Sequence, residues 1–136
     1  MALATRGEPF DRVAWFDQLL ARAVTEEFRY QLTVARDLGP TDPFDVLGSS
    51  LRADQSVVAA IACFASAPDS YPNAIARAIA MGDDTDTVAA MAGAISGAYL
   101  GADAVPAHLL AMLEDGPKGR GYIEQLAIRL AERAGA

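Results

Sequence analysis

Apolar side chains recur every three or four positions over most of this chain, which is the spacing of one face of an α-helix. The first such segment covers residues 10–24 and follows a proline, a residue that the first turn of a helix tolerates. The pattern either continues to Leu38 or breaks near Thr25, and the pair Gly39-Pro40 ends it in both cases. The sequence therefore predicts one long or two shorter N-terminal helices.

Five more helices are predicted beyond a turn-rich segment at residues 44–52, which is either a connector or a loop that faces a ligand. Asp54 and Ser70 are placed as N-caps of the first two. The predicted spans are 55–67, 71–81, 87–100, 108–113 and 122–133. No segment alternates with a period of two for long enough to form a strand. We expect an all-α fold, a compact bundle of about five to six helices, forming a single domain over residues 1–136.

Composition narrows the functional class. The chain has 136 residues, of which 52% are apolar, enough for one domain with its own core. A net charge of −7 disfavours binding to nucleic acid or to an anionic membrane. The most apolar window, residues 88–100, is shorter than the roughly 20 residues that cross a bilayer. Residues 1–8 lack the apolar run of a secretory signal, so we expect a cytoplasmic protein.

The chain has one cysteine and one histidine, Cys63 and His108. A single cysteine excludes an internal disulfide and a thiolate zinc site, and its apolar neighbours predict a core position. A single histidine disfavours hydrolysis through a serine triad. We expect His108 to cap a helix or to lie on the surface.

The most informative segment is an acidic turn between two predicted helices. Asp83, Asp84 and Asp86 alternate there with the hydroxyls of Thr85 and Thr87. Carboxylate and hydroxyl oxygens suit Mg²⁺ or Mn²⁺ rather than zinc or copper. The alternative is that these residues only start a helix, since Asp and Thr are common caps. Three crowded carboxylates repel one another, however, and that excess favours a bound cation.

The helix behind the turn carries Gly93, Gly97 and Gly101, four residues apart. An interior glycine costs about 0.8–1.0 kcal/mol of helix propensity relative to alanine. We therefore expect another backbone to pack very close along this stripe.

Residues 82–101 resemble the C-terminal signature of the ADP-ribosylglycohydrolase family, of the dinitrogenase reductase-activating glycohydrolase and ADP-ribosyl-acceptor hydrolase type. That signature reads Gly-Gly-Asp-Thr-Asp-Thr, followed by an Ala/Gly-rich helix that ends Gly-Ala-Tyr-Tyr-Gly. Here residues 82–87 read Gly-Asp-Asp-Thr-Asp-Thr and residues 97–101 read Gly-Ala-Tyr-Leu-Gly. The resemblance extends back to Leu47-Gly48 and residues 53–61, and forward to Val105-Pro106.

The resemblance implies an all-α enzyme that holds two Mg²⁺ ions, with Mn²⁺ as a substitute. Such enzymes hydrolyse the bond between the anomeric carbon of ADP-ribose and an acceptor, which is an ADP-ribosylated protein or small molecule. Asp84 and Asp86 would be the catalytic, metal-ligating carboxylates, and Thr87 would add its hydroxyl. Thr85 would be a structural turn residue, and Gly48 and Ser49 would bind substrate.

The chain also departs from the family pattern. Asp83 stands at the second glycine, Gln55 at an acid and Val58 at a proline. The family's N-terminal Gly-Asp-Ala-x-Gly, Thr-Asp-Asp-Thr and Gly-Asn-Gly segments have no counterpart, so the resemblance covers the C-terminal half and one half of the bimetal site.

Two functional alternatives follow. The first is an enzyme domain that is incomplete alone and needs a complementing chain or another copy of itself. The second is a non-catalytic helical module for binding or assembly, since unpaired apolar faces favour oligomers. The other acids, Asp54, Asp69, Glu26 and Glu27, are expected to be solvated.

Overall fold

A computed structural model describes residues 9–135, so the prediction about a secretory signal concerns residues outside the described part. The described chain is all helical, which confirms the predicted fold class. Its helices are α1 (Arg12–Arg22), α2 (Glu26–Asp37), α3 (Ala53–Ser66), α4 (Tyr71–Ala80), α5 (Thr85–Leu100), α6 (Ala107–Met112) and α7 (Arg120–Ala134). Two 3₁₀ turns are added, at Asp45–Leu47 and Ala102–Ala104.

The helices belong to two compact units, one ending at Ala104 and the other beginning at Val105. The single domain expected over residues 1–136 therefore stays a prediction. None of the helices within residues 9–135 combines the length and the apolarity needed to cross a bilayer.

Helix α3 is the centre of the first unit. Nearly every side chain from Val58 to Ala65 is buried, and α2, α4 and α5 all pack against this helix. Four of these buried residues are alanine, and small side chains let helix axes approach closely. Cys63 is fully buried here, as predicted, and burial raises the pKa of its thiol to about 11.

The N-terminal pattern forms two helices, so the predicted break near Thr25 is confirmed. The Thr25 hydroxyl caps α2 by accepting a hydrogen bond from the Phe28 amide, 3.4 Å away. Arg12 in α1 then joins the two helices, because its guanidinium donates to three carbonyls at the C-terminus of α2. The acceptors are Ala35 O at 2.8 Å, Arg36 O at 2.6 Å and Leu38 O at 2.6 Å. A cation at a helix C-terminus also interacts favourably with the helix dipole.

Capping predictions are confirmed for α4 and wrong for α3. The Ser70 hydroxyl accepts from the Asn73 amide at 3.4 Å, with Pro72 in the first turn. Asp54 was expected to cap α3, but it lies inside the first turn and binds Arg52 at 3.1 and 3.2 Å. Its neighbouring arginine competes successfully for the carboxylate, so α3 starts without a side-chain cap.

The prediction that another backbone packs close to the glycine stripe is wrong at Gly93 and Gly97. A Cβ added at Gly93 would lie 3.0 Å from Tyr71 Oη and 3.1 Å from Ile75 Cδ1, which are side-chain atoms of α4 rather than backbone. A Cβ added at Gly97 would meet nothing within 4 Å in the described structure. Gly101 ends α5 with a φ of 90°, a conformation that suits glycine.

Ser96 provides a test of the core. It is 0% exposed, and its hydroxyl has no hydrogen-bond partner in the described part of the chain. We expect Ser96→Ala to stabilise the protein by about 1 kcal/mol, because it removes a desolvated group that forms no hydrogen bond. Urea unfolding followed by circular dichroism measures the change.

Ser66→Ala is the matched control, because the Ser66 hydroxyl donates to Cys63 O at 2.8 Å. That variant should not be stabilised. Equal losses of stability in both variants would contradict the prediction.

Candidate metal and substrate site

The acidic turn joins α4 to α5 through two consecutive residues with left-handed backbone. Gly82 has a φ of 75° and Asp83 a φ of 56°, and Asp83 is the only non-glycine residue with positive φ in the described chain. Left-handed backbone is costly for most residues, and aspartate is among those that tolerate it best. The turn therefore requires the conformation that the family's second glycine adopts easily.

Helix α5 begins at Thr85, two residues earlier than predicted. Thr85 and Asp86 thus lie in the first turn of the helix. The expectation that Thr85 is a residue of the connecting turn is wrong. Asp84 occupies the N-cap position, but its side chain accepts no capping hydrogen bond. Asp84 therefore starts the helix by its position, without a side-chain cap, and the interpretation of the acidic turn as only a helix start stays an alternative.

Ser49 attaches the loop at residues 48–50 to the acidic turn. Its hydroxyl donates to Gly82 O at 3.0 Å, and its carbonyl accepts from the Asp84 amide at 3.3 Å. Ser49 is only 7% exposed, so both hydrogen bonds are largely shielded from water. The two segments expected to bind substrate and metal are thereby in direct contact, although more than 30 residues of sequence separate them.

Gln55, in the first turn of α3, holds the same loop through a hydrogen bond, a role that the sequence did not indicate. Its Oε1 accepts from the Ser50 hydroxyl at 2.5 Å. Gly48 has a φ of 69°, and a Cβ built there would lie 2.9 Å from the Gln55 amide group. The loop therefore requires glycine at position 48 for its backbone conformation, whereas the end of the flexible Gln55 side chain could move aside.

The carboxylates of Asp84 and Asp86 interact with each other. A side-chain hydrogen bond with Asp84 is the main cause that lowers the pKa of Asp86, followed by hydrogen bonds from the backbone amides of Thr87 and Asp86. The two side chains are neighbours, and two neighbouring carboxylates can contact one divalent cation. The arrangement suits a hard cation that is bound through oxygen.

The described residues of the acidic turn offer few donor atoms to a cation. Asp86 and Thr87 are exposed and Asp84 is half-buried. Within residues 9–135, no three His, Cys, Asp or Glu side chains are grouped so that they could hold a metal ion. The donors present fit Mg²⁺ or Mn²⁺ in kind, but they are fewer than an octahedral shell requires.

The other acidic side chains and the histidine considered for the site are exposed on other elements, and one of them forms an ion pair. Glu26 and Glu27 are exposed on α2, where Glu26 pairs with Arg29 at 3.6 Å. Asp69 is exposed in the connection between α3 and α4, and His108 is exposed on α6.

Asp83 allows a test of the turn. We expect Asp83→Gly to raise stability by about 0.5–1 kcal/mol, because relief of left-handed strain exceeds the extra entropy of glycine in the unfolded chain. The variant also removes one of three crowded carboxylates. Thermal unfolding is the measurement. Asp69→Gly, at an exposed aspartate without positive φ, should give no gain, and a similar gain in both would refute the strain argument.

Sequence comparison relates this chain to known proteins. ADP-ribosylhydrolase ARH3 of Homo sapiens is 44% identical over a 70-residue alignment that covers 44% of this chain and 19% of the human protein. The proteins of the same name from Mus musculus and Danio rerio are 43% and 44% identical over alignments of the same extent. The match therefore spans about a fifth of these relatives' length, and no solved structure matches significantly. The family's sequence profile matches residues 1–136, and the chain belongs to the ADP-ribosylglycohydrolase family.

Proposed function

We propose that this chain contributes to Mg²⁺-dependent hydrolysis of the N- or O-glycosidic bond of an ADP-ribosylated protein or small molecule, in the cytoplasm. Asp84 and Asp86 are the catalytic, metal-ligating carboxylates in this proposal, and Thr87 adds a hydroxyl ligand. Gly48 and Ser49 form the substrate side of the site. The observation that carries the proposal is the double hydrogen bond of Ser49, which holds this loop against the acidic turn.

The bound cation would polarise the substrate and orient a water molecule. The chain's own residues prepare that site. The Asp86 carboxylate, whose pKa is lowered further below neutrality, is ionised at neutral pH, and the ionised form is the one that binds a cation. The Ser49 hydroxyl and carbonyl are both engaged by the turn, so Ser49 acts by positioning backbone next to the carboxylates. The left-handed Gly48 lets that backbone reverse close to the site.

The lone chain would be a poor catalyst. Two carboxylates and one hydroxyl leave most positions of two octahedral shells to water, so cation binding should be weak. We propose that a complementing chain, or a second copy of this one, supplies further ligands.

Calorimetric titration with Mg²⁺ and Mn²⁺, with and without ADP-ribose, tests the site. We expect dissociation constants on the order of 1 mM for the lone chain and tighter binding when ADP-ribose is present. Asp84→Asn and Asp86→Asn should each abolish cation binding. Asp103→Asn removes the same charge at an exposed position in the second 3₁₀ turn and should leave it unchanged.

Hydrolysis of an ADP-ribosylated peptide is measured in parallel, with the lone chain and with added complementing chain. Cation binding that survives both substitutions would refute the assigned ligands. Cation binding without hydrolysis in any combination would refute the catalytic function.

The alternative function, a helical module for binding or assembly, is favoured by the second unit. Large apolar side chains of α7 are about half exposed or more, namely Tyr122, Ile123, Leu126, Ile128 and Leu130. Soluble monomers seldom expose so many on one helix.

Light scattering over a range of concentrations tests this alternative. We expect a concentration-dependent increase in mass, and we expect Leu126→Glu with Leu130→Glu to restore the monomer by placing charge on the exposed face. A monomer at all concentrations that binds no hydrophobic dye would exclude assembly through α7.

A further inference from the structure

Arg52 places a positive charge next to the loop of the candidate metal and substrate site. It follows the loop at residues 48–50, and it is the only lysine or arginine in residues 44–55 and 81–87, where the other charged residues are all aspartates. A substrate of the proposed reaction carries a diphosphate, which these carboxylates repel. Arg52 is therefore the cation of these two segments that could offset the repulsion.

The backbone of Arg52 is joined to the loop through Ser50. Its amide donates to the Ser50 hydroxyl at 3.3 Å, and that hydroxyl donates to Gln55 Oε1 at 2.5 Å. Ser49, which contacts the acidic turn, precedes Arg52 by three residues, and three residues of extended chain span at most about 11 Å. The long side chain of Arg52 thus starts close enough to meet a ligand that extends from the site.

An ion pair with Asp54 orients the guanidinium of Arg52. Nε donates to Asp54 Oδ1 at 3.2 Å, and Nη2 donates to Asp54 Oδ2 at 3.1 Å. Such a pair of parallel hydrogen bonds fixes the plane of the guanidinium. The Asp54 side chain is only 14% exposed, whereas that of Arg52 is 63% exposed. The carboxylate is therefore the shielded partner, and the cation is the one that faces water.

The ion pair leaves one edge of the guanidinium available. Neither hydrogen bond to Asp54 uses Nη1, and this atom donates to no acceptor within residues 9–135. An arginine has five N–H donors in a planar fork, which matches the oxygens of a phosphate group. The available edge of Arg52 can therefore bind phosphate while Asp54 still holds the other edge.

We propose that Arg52 binds the diphosphate of the ADP-ribosyl substrate and thereby helps to select a phosphorylated ligand. This inference rests on the proposed function for the identity of the substrate. Asp54 is a positioning residue, because it orients the guanidinium. Its negative charge also competes with the diphosphate for the same cation.

Two substitutions that break the same ion pair should have opposite effects on binding of ADP-ribose, measured by calorimetry with the full chain in excess Mg²⁺. Arg52→Gln removes the cation and should weaken binding about fivefold. Asp54→Asn keeps an acceptor oxygen but removes the competing charge, and it should strengthen binding about threefold. If the pair only stabilised the start of α3, both variants would change binding in the same direction.

A control variant and two conditions complete the test. Arg29 forms an exposed ion pair with Glu26 at 3.6 Å on α2, so Arg29→Gln should leave binding of ADP-ribose unchanged. Pyrophosphate, the probe without a sugar, should bind at least fivefold more weakly than ADP-ribose. Raising NaCl from about 20 mM to about 500 mM should reduce the difference between the wild type and Arg52→Gln, because salt screens exposed charges.

The proposal is overturned if Arg52→Gln leaves the affinity for ADP-ribose unchanged, or if Arg52→Gln and Asp54→Asn shift it in the same direction. Pyrophosphate that binds as tightly as ADP-ribose would also refute it, since Arg52 would then be a general anion site. The proposed function fails by a different result. If Asp84→Asn and Asp86→Asn leave Mg²⁺ binding unchanged while the Arg52 and Asp54 variants shift ADP-ribose binding in opposite directions, the assigned metal ligands are wrong and the role of Arg52 stands.

Discussion

The close packing of three helices around α3 is the constraint on which the first unit depends. Alanines along α3 let α2, α4 and α5 approach it from different sides, and a larger side chain at any fully buried position would separate them. The loop at residues 48–50 leads directly into α3, and the acidic turn joins two helices that pack on it. One core helix therefore fixes both sides of the candidate metal and substrate site. The Ser49 hydrogen bonds then need to align only the few residues of the loop with those of the acidic turn.

The acidic turn places three carboxylates close together and contains features that lower local stability. A left-handed aspartate and an N-cap carboxylate that accepts no capping hydrogen bond are each unfavourable in a helix start whose only task is structural. A divalent cation would offset the repulsion between Asp84 and Asp86. This physical conflict, more than the number of acids, separates the turn from an ordinary capping sequence.

The fold class and most helices could be predicted from sequence because their signals are local. Ser70 with Pro72 defines the start of α4, and Thr25 interrupts the N-terminal pattern through its own hydroxyl. The predictions that were wrong concern features that depend on contacts with residues distant in sequence. The glycines at positions 93, 97 and 101 looked equivalent at a spacing of four, yet Gly93 faces side chains of α4 and a Cβ at Gly97 would meet nothing within 4 Å. Likewise, the candidate site residues were proposed from their motif, but the contacts of Ser49 with the turn and of Gln55 with the loop are tertiary and leave no periodic signal.

The proposed function links cation binding to association. If Asp84 and Asp86 supply part of a cation shell and another chain supplies the rest, the cation binds the assembled form more tightly than the free chain. Thermodynamic linkage then requires that the cation strengthen association by the same factor. Association driven only by the exposed apolar face of α7 carries no such requirement, because none of the proposed ligands lies on that helix. The dependence of association on Mg²⁺ therefore distinguishes an incomplete enzyme site from a module that assembles for other reasons, independently of any assay of hydrolysis.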